Sequence, residues 1–214
     1  MRVLVACEYS GIVREAFRKR GHDVWSCDLL PAEDGSPYHC QVDVLQLLKE
    51  EQGWDLMIAH PPCTYLCNSG VWALKPNGLN NEKVMKRWVD MQDARAFFMT
   101  LWDQPIPKIC IENPVPHGYS NLPKYAQSIQ PYQFGDDASK RTCLWLKGLP
   151  NLTIPSQDAW FPPRIVESGP YAGKKRWSNQ TDAGQNKLGP SANRGLERAR
   201  TYQGIADAFA DQWG

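Results

Sequence analysis

Residues 1–28 read MRVLVACEYSGIVREAFRKRGHDVWSCD, and the succession of patterns within them decides the fold. Residues 1–7 hold an apolar run of strand length, Glu8-Tyr9-Ser10-Gly11 is a polar turn, and Ile12, Val13, Ala16 and Phe17 then recur at helical spacing up to Gly21. Residues 23–28 predict a second strand. Strand, glycine turn, helix and strand in that order form the unit from which parallel sheets are built.

The alternation continues outward from this unit. Residues 42–48 predict a short helical piece, and residues 54–59 a third strand that stops at His60-Pro61-Pro62. A polar loop through Asn68, Ser69, Gly70, Pro76, Asn77 and Gly78 leads to a helix over about 81–102, with Val84, Trp88, Met91, Phe98 and Trp102 at helical steps and Arg95 interrupting the stripe. Residues 108–111 predict another buried strand, ending at Glu112-Asn113-Pro114. Residues 130–134 and 142–146 predict an antiparallel pair at a sheet edge, around a polar turn over 135–141. Residues 151–193, rich in Pro, Gly, Ser and Asn, read as loop-built; Trp145 and Trp177 read as packing residues. A last helix over 201–213 puts Tyr202, Ile205, Phe209 and Trp213 on one face.

The expected architecture is therefore α/β, with a mostly parallel sheet, helices on both faces, an antiparallel edge pair and a small loop-rich appendage near the C-terminus. A chain of 214 residues suits one domain of this kind. Its apolar runs are strand-sized, so no membrane span is expected. Seven cysteines, an odd number without framework spacing, predict free thiols, and the start of the chain reads as a buried strand; both point to an intracellular protein. Residues 164–200 carry eight basic residues against three acidic ones, an imbalance that suits a polyanionic partner.

In open parallel sheets ligands bind beyond the carboxyl ends of the strands. Four polar clusters fall at such ends: Glu8 to Gly11, Asp28, His60 to Cys63, and Glu112 to Pro114. After residues 54–59, two prolines restrict the backbone and present Cys63 at the rim of the cleft. A thiol with a pKa near 8.5 is mostly protonated at neutral pH, yet its small thiolate fraction is strongly nucleophilic. Glu112, if partial burial raised its pKa, could donate a proton to a ring nitrogen. Each cluster also has a plain alternative: a cysteine in a tight turn, a strand-terminal acid acting as a cap, a hairpin tip in solvent.

The ordered set Ser10-Gly11, Pro61-Pro62-Cys63, Glu112-Asn113-Pro114 and Lys140-Arg141-Thr142 resembles the DNA cytosine-5 methyltransferase family, in a compact, phage-type form. The resemblance covers residues 1 to about 150, and the terminal helix is similar to the family's last motif. It implies a Rossmann-like S-adenosylmethionine-dependent methyltransferase fold, a catalytic and cofactor-binding portion over 1–150, a miniature DNA-contacting region over 151–200 and a C-terminal helix, 201–214, packing back on the body. It also implies that Cys63 adds to carbon 6 of a flipped cytosine, that Glu112 serves ring nitrogen 3, and that Asn113 and Arg141 complete the catalytic set.

S-adenosylmethionine is the implied cofactor, held by Glu8, Tyr9, Ser10, Gly11, Asp28, Asp43, His60 and Pro61, with Gly11 allowing close approach of the methionine portion. Ser69, Lys140, Arg141, Lys174, Lys175 and Arg176 are the implied DNA contacts, and residues 65–78 a loop that closes over the base. The protein is expected to be monomeric and cytoplasmic, in a bacterial or phage-infected cell, without a metal. Two departures from the family stand out: the glycine-rich first motif is reduced to Glu8-Tyr9-Ser10-Gly11, and only about 50 residues remain for target recognition.

Other chemistries stay open on the residues alone. His60, Cys63 and Cys67, with His39 and Cys40, could be assembled into a zinc site, although no Cys-x-x-Cys pair exists. Pro61-Pro62 after a strand also suits methylation of exocyclic amines, but His60 and Cys63 are not the flanking residues that chemistry uses. Transfer of a hydroxymethyl group through the same Cys63 attack, an RNA substrate, or a binding module without turnover complete the alternatives.

Overall fold

The structure is a computed structural model that describes every residue except 76–80, 190, 192 and 193. Gly78, the far end of the expected closing loop, lies outside the described residues. In chain order the elements are β1 (Arg2–Ala6), α1 (Ile12–Arg18), β2 (Asp23–Asp28), β3 (His39–Gln41), α2 (Val44–Glu50), β4 (Leu56–Ala59), α3 (Asn81–Trp102), β5 (Lys108–Pro114), β6 (Gln127–Ile129), β7 (Thr142–Lys147), β8 (Arg164–Ile165), β9 (Lys175–Arg176), α4 (Arg194–Ala199) and α5 (Gln203–Trp213).

β1 to β7 form one sheet in the order β3-β2-β1-β4-β5-β7-β6. β3, β2, β1, β4 and β5 run parallel, whereas β7 is antiparallel to both β5 and β6. This strand order is that of a Rossmann-like methyltransferase fold: a mostly parallel sheet with antiparallel pairs at one edge and a small helical appendage at the C-terminus. β8 and β9 form a separate two-stranded hairpin.

Both sheet faces are covered, which explains why the central strands are continuously apolar rather than alternating. Leu4, Ala6, Met57, Ala59, Ile109 and Ile111 pack on one face against Leu47, Met91, Phe98 and Leu101 of α2 and α3. Val3, Val5, Leu56, Ile58 and Cys110 pack on the other against Phe17 of α1 and Ile205, Phe209 and Trp213 of α5. Register then fixes the site, because Ala6 lies opposite Ala59 and Ala59 opposite Ile111. The residues that follow, Cys7, His60 and Glu112, start from one row across the sheet.

Four local readings differ from the sequence expectation. β5 continues through Pro114, so Glu112 and Asn113 sit inside the strand, paired with Leu144 and Cys143. The edge strand is residues 127–129 rather than 130–134, since Pro131 opens a 3-10 turn that the Gln130 and Gln133 side chains cap reciprocally. β3, three residues paired to the end of β2, is too short for its alternation to show in sequence. The polar loop is partly helical, a 3-10 stretch over Asn68–Leu74.

Candidate active site

The chain leaves β1 through Cys7, a non-glycine residue in the left-handed region at φ 58°. That turn buries Glu8, whose carboxylate accepts from the amides of Val13 (2.7 Å) and Arg14 (3.2 Å). Glu8 thus serves the orphan donors of the first turn of α1, which the preceding Gly11 cannot cap. Burial raises the Glu8 carboxyl above its ordinary value, opposed by the charge of His60 and by the two amide bonds.

Gly11 lies at φ +72°, and a Cβ there would stand 2.3 Å from Arg14 Nη2. The space expected to admit a ligand's methionine portion is therefore filled on that side by a guanidinium. Arg14 is fully buried, and it donates to Ser26 Oγ (2.7 Å), Glu15 Oε1 (2.9 Å) and Asp34. Nothing in the helical periodicity of residues 12–18 marks it.

β4 delivers His60, whose Nδ1 lies 2.9 Å from Glu112 Oε2 on the neighbouring strand. Asn113 Nδ2 donates to the Pro61 carbonyl at 3.0 Å, so the proline segment is tied to β5 by two successive residues. Burial by itself would raise the Glu112 carboxyl, but the His60 hydrogen bond, the Lys140 charge and the Thr142 hydroxyl outweigh it and leave it below the ordinary value. The upward shift that would make Glu112 a ready proton donor is not found, because burial comes here with three compensating partners. Among the described residues His60 Nε2 has no hydrogen-bond partner.

Cys63 opens a single turn, with Leu66 N and Cys67 N both donating to its carbonyl at 3.1 Å. The turn brings the Cys67 thiol to hydrogen bond with Cys63, and Cys67 Sγ lies 3.0 Å from Ser69 Oγ. The hydrogen bond with Cys67 and then burial push the Cys63 thiol up. The same bond, with Ser69 and the charge of Arg198, brings Cys67 down to about 5. Residues 64–74, part of the expected closing loop, are anchored: Arg87 donates to the Thr64 carbonyl at 2.6 Å, His117 Nε2 lies 2.9 Å from the Tyr65 carbonyl, and Trp88 Nε1 donates to Leu74.

The remaining residues divide by place. Lys140 stands near both Cys63 and Glu112, and its Nζ donates to the Arg198 carbonyl at 2.9 Å, at the end of α4. The Tyr9 hydroxyl donates to Leu196 of the same helix. Arg141 points outward to the Tyr125 hydroxyl at 3.3 Å. Asp28 and Asp43 both lie close to the Cys7 thiol, which burial pushes up; each uses one carboxylate oxygen locally, on Leu30 N and Leu45 N. Ser10 lies half-buried in the turn before Gly11. Lys174, Lys175 and Arg176 belong to the β8–β9 hairpin, beside Trp177, which stacks on Tyr132 at 4.0 Å.

Sequence reasoning gave no role to Arg198 and Arg14, named Thr142 only within the 140–142 motif and Cys67 only as a candidate zinc ligand, and placed His60 with the cofactor without its contact to Glu112. One signal was available: Cys63 and Cys67 are four residues apart, the spacing that puts two side chains on one side of a turn. Among the described residues no group of three His, Cys, Asp or Glu side chains is placed to hold a metal ion, and no helix is long and apolar enough to cross a membrane.

Comparison with protein-family models gives no match, and neither does comparison with curated proteins. Among solved structures the chain is similar to a protein encoded within an E. coli prophage and assigned as a DNA modification methyltransferase, with a TM-score of 0.46 and 13% identity over 73% of this chain and 51% of that one. The chain spans about half the length of that protein. Its own fold class rests on the strand order.

Proposed function

We propose that the protein is a DNA cytosine-5 methyltransferase with Cys63 as its nucleophile. The observation that carries the reading is a convergence: a half-buried thiol after β4, a carboxylate on β5 held below its ordinary pKa, and the ammonium of Lys140 just before β7. These are the groups needed to activate a ring carbon that is otherwise unreactive toward electrophiles.

Cys63 Sγ adds to carbon 6 of the cytosine, and negative charge develops on the ring. Glu112 accepts from the exocyclic amine, held in orientation by His60 Nδ1–H at its Oε2, and ring nitrogen 3 takes up a solvent proton by way of the Glu112 carboxyl as charge develops. Lys140 offsets the charge that the ring gains. Once carbon 5 carries the transferred methyl group, its proton goes to solvent, the freed electron pair restores the ring double bond and expels Cys63 as thiolate, and nitrogen 3 returns its proton. A base inside a duplex cannot reach a thiol at the rim of a sheet, so the cytosine is extruded first.

For the cofactor, the donor set fits: Asp28 ends β2 and Asp43 caps α2 two residues beyond the adjacent β3, each with a carboxylate oxygen beyond its local bond, and Leu29 beside Asp28 is 71% exposed and can cover a flat ring. Asp28 and Asp43 would hold S-adenosylmethionine, with the turn Glu8-Tyr9-Ser10-Gly11 and the backbone of His60 and Pro61 beside it. When bound, that cofactor supplies an electrophilic methyl group. Ser69, Arg141 and the basic hairpin, with Lys174, Lys175 and Arg176, are the proposed DNA contacts; phosphate contact by so small a region gives affinity with little sequence reading.

DNA containing 5-fluorocytosine tests the proposal. With S-adenosylmethionine it should form a denaturation-resistant adduct with the wild type and none with Cys63→Ala, and mass spectrometry of digested DNA should show 5-methylcytosine. An absent adduct with the folded wild type overturns it, and 5-hydroxymethylcytosine or an N-methylated base would redirect it.

A further inference from the structure

We propose that the surface beside Cys63 is a track for single-stranded DNA, with Trp72 and Tyr119 as stacking platforms for the nucleotides that flank the target cytosine. The proposal names the strand state of the substrate and rests on the reading above that Cys63 acts on a cytosine in DNA.

Large aromatic rings are normally covered, so the informative ones are those left in solvent. Trp72, in the 3-10 stretch Asn68–Leu74, is 61% exposed, and Tyr119, in the turn Gly118–Ser120, is 50% exposed. Both rest on one support. Trp88 of α3 donates its Nε1 hydrogen to the Leu74 carbonyl at 3.2 Å, just beyond Trp72, and its ring meets that of Tyr119 edge to face at 5.5 Å. The segments bearing the two rings are also joined to each other next to the nucleophile. Asn68 N donates to the Val115 carbonyl and His117 N to the Leu66 carbonyl, each at 3.0 Å, and Cys67 bridges to Pro116. The turn that carries Cys63 therefore runs directly into the platform segments, and rings anchored in this way offer a strand a preorganised surface.

Charge selects the partner. Residues 68–88 carry Lys75, Lys83, Lys86 and Arg87 against one acid, Glu82, and residues 113–135 carry Lys124 and no acid. Arg95 of α3 reaches the Asn121 carbonyl at 3.3 Å and adds a cation beside the turn of Tyr119. Beyond Glu82 the next acids on α3 are Asp90, which pairs with Lys86 at 2.7 Å, and Asp93. Exposed rings set among cations suit a polyanion whose bases are free to stack, whereas a duplex hides those faces between neighbouring base pairs. A cytosine in a single strand also reaches Cys63 without the cost of unpairing.

Fluorescence anisotropy at one salt concentration reads the track without cofactor, using a labelled cytosine-containing oligonucleotide alone and annealed to its complement. The wild type should bind the single strand at least about tenfold more tightly than the duplex. Trp72→Ala and Tyr119→Ala should each weaken single-strand binding by about tenfold and leave duplex binding within about twofold. Trp72→Phe and Tyr119→Phe, which keep a ring, should restore most of the affinity. Abasic sites in place of the bases flanking the cytosine should cost the wild type a similar factor, and they carry the test should an alanine variant fail to fold. Equal affinity of the wild type for the two DNA forms overturns the proposal, as does single-strand binding indifferent to ring removal in folded variants and to abasic flanks. Because binding needs no methyl transfer, an absent 5-fluorocytosine adduct with ring-dependent single-strand binding would sink the methyltransferase reading alone. A good adduct with ring-independent binding would sink only the track.

Discussion

A carboxylate only accepts hydrogen bonds, so the contact of His60 Nδ1 with Glu112 Oε2 fixes the imidazole hydrogen on Nδ1. The histidine before the two prolines thereby becomes the partner of an acid 52 residues away. Removing it in His60→Ala leaves burial of Glu112 less opposed. The Glu112 carboxyl should rise, and the acidic limb of the kcat profile should move to higher pH, with kcat down by about 10- to 100-fold. A pH-rate profile that keeps its acidic limb would reject the pairing as functional. The same residue gives a stability prediction. Since the folded carboxyl lies below its ordinary value of 4.5, its ionised form stabilises the fold above that pH, and the contribution fades as pH falls through the folded value. Glu112→Gln should unfold at lower urea than the wild type at pH 7, and the gap between their midpoints should close in acid, below about pH 4.

Among the elements, α1 depends on an acid outside it. Gly11 offers its first turn no side chain, and Glu8 supplies both acceptors from the end of β1. Glu8→Ala leaves two buried amides without partners, at a cost of about 2–4 kcal/mol, whereas Glu8→Gln keeps one acceptor and should cost less. Chemical denaturation of the three proteins checks the order. Gly11→Ala is penalised twice, by the left-handed backbone and by the Arg14 guanidinium beneath it. β5 shows the opposite dependence: Asn113 lies within its ladder, and its side chain reaches across to hold the segment that carries Cys63.

On the scale of the whole molecule, the last twenty or so residues of the chain close over the sheet. α4 lies over it, joined to the body through Tyr9, Lys140 and the Arg200–Glu33 ion pair, and α5 packs its Phe209 and Trp213 against the face that holds Phe17. The β8–β9 hairpin carries exposed Lys174 and Lys175. If it contacts phosphates, replacing both lysines by alanine should weaken DNA binding similarly for all sequences. It should also flatten the plot of log affinity against log salt by about 1 to 2 units of slope. Fluorescence anisotropy over a salt series measures this, and an unchanged slope removes the hairpin from the interface.

The pattern of apolar runs was enough to set the alternation of strands and helices and the positions of Glu8 and Cys63 beyond strand ends, because burial on two sheet faces and on one helix face imposes periods that a linear text retains; Glu112 instead lies within β5. α3 and β2 have the expected bounds; β3 and α4 were not read from the sequence at all, since three to six residues hold too little of any period. Partners were beyond its reach. That His60 faces Glu112, that Cys67 lies against Ser69, that Arg14 fills the space over Gly11, and that the Glu112 carboxyl is held below its ordinary value all follow from distances and burial set by strand register and chain reversal. Electrostatic interaction depends on separation in space, and two residues 52 apart in sequence become neighbours only once β4 has been laid beside β5.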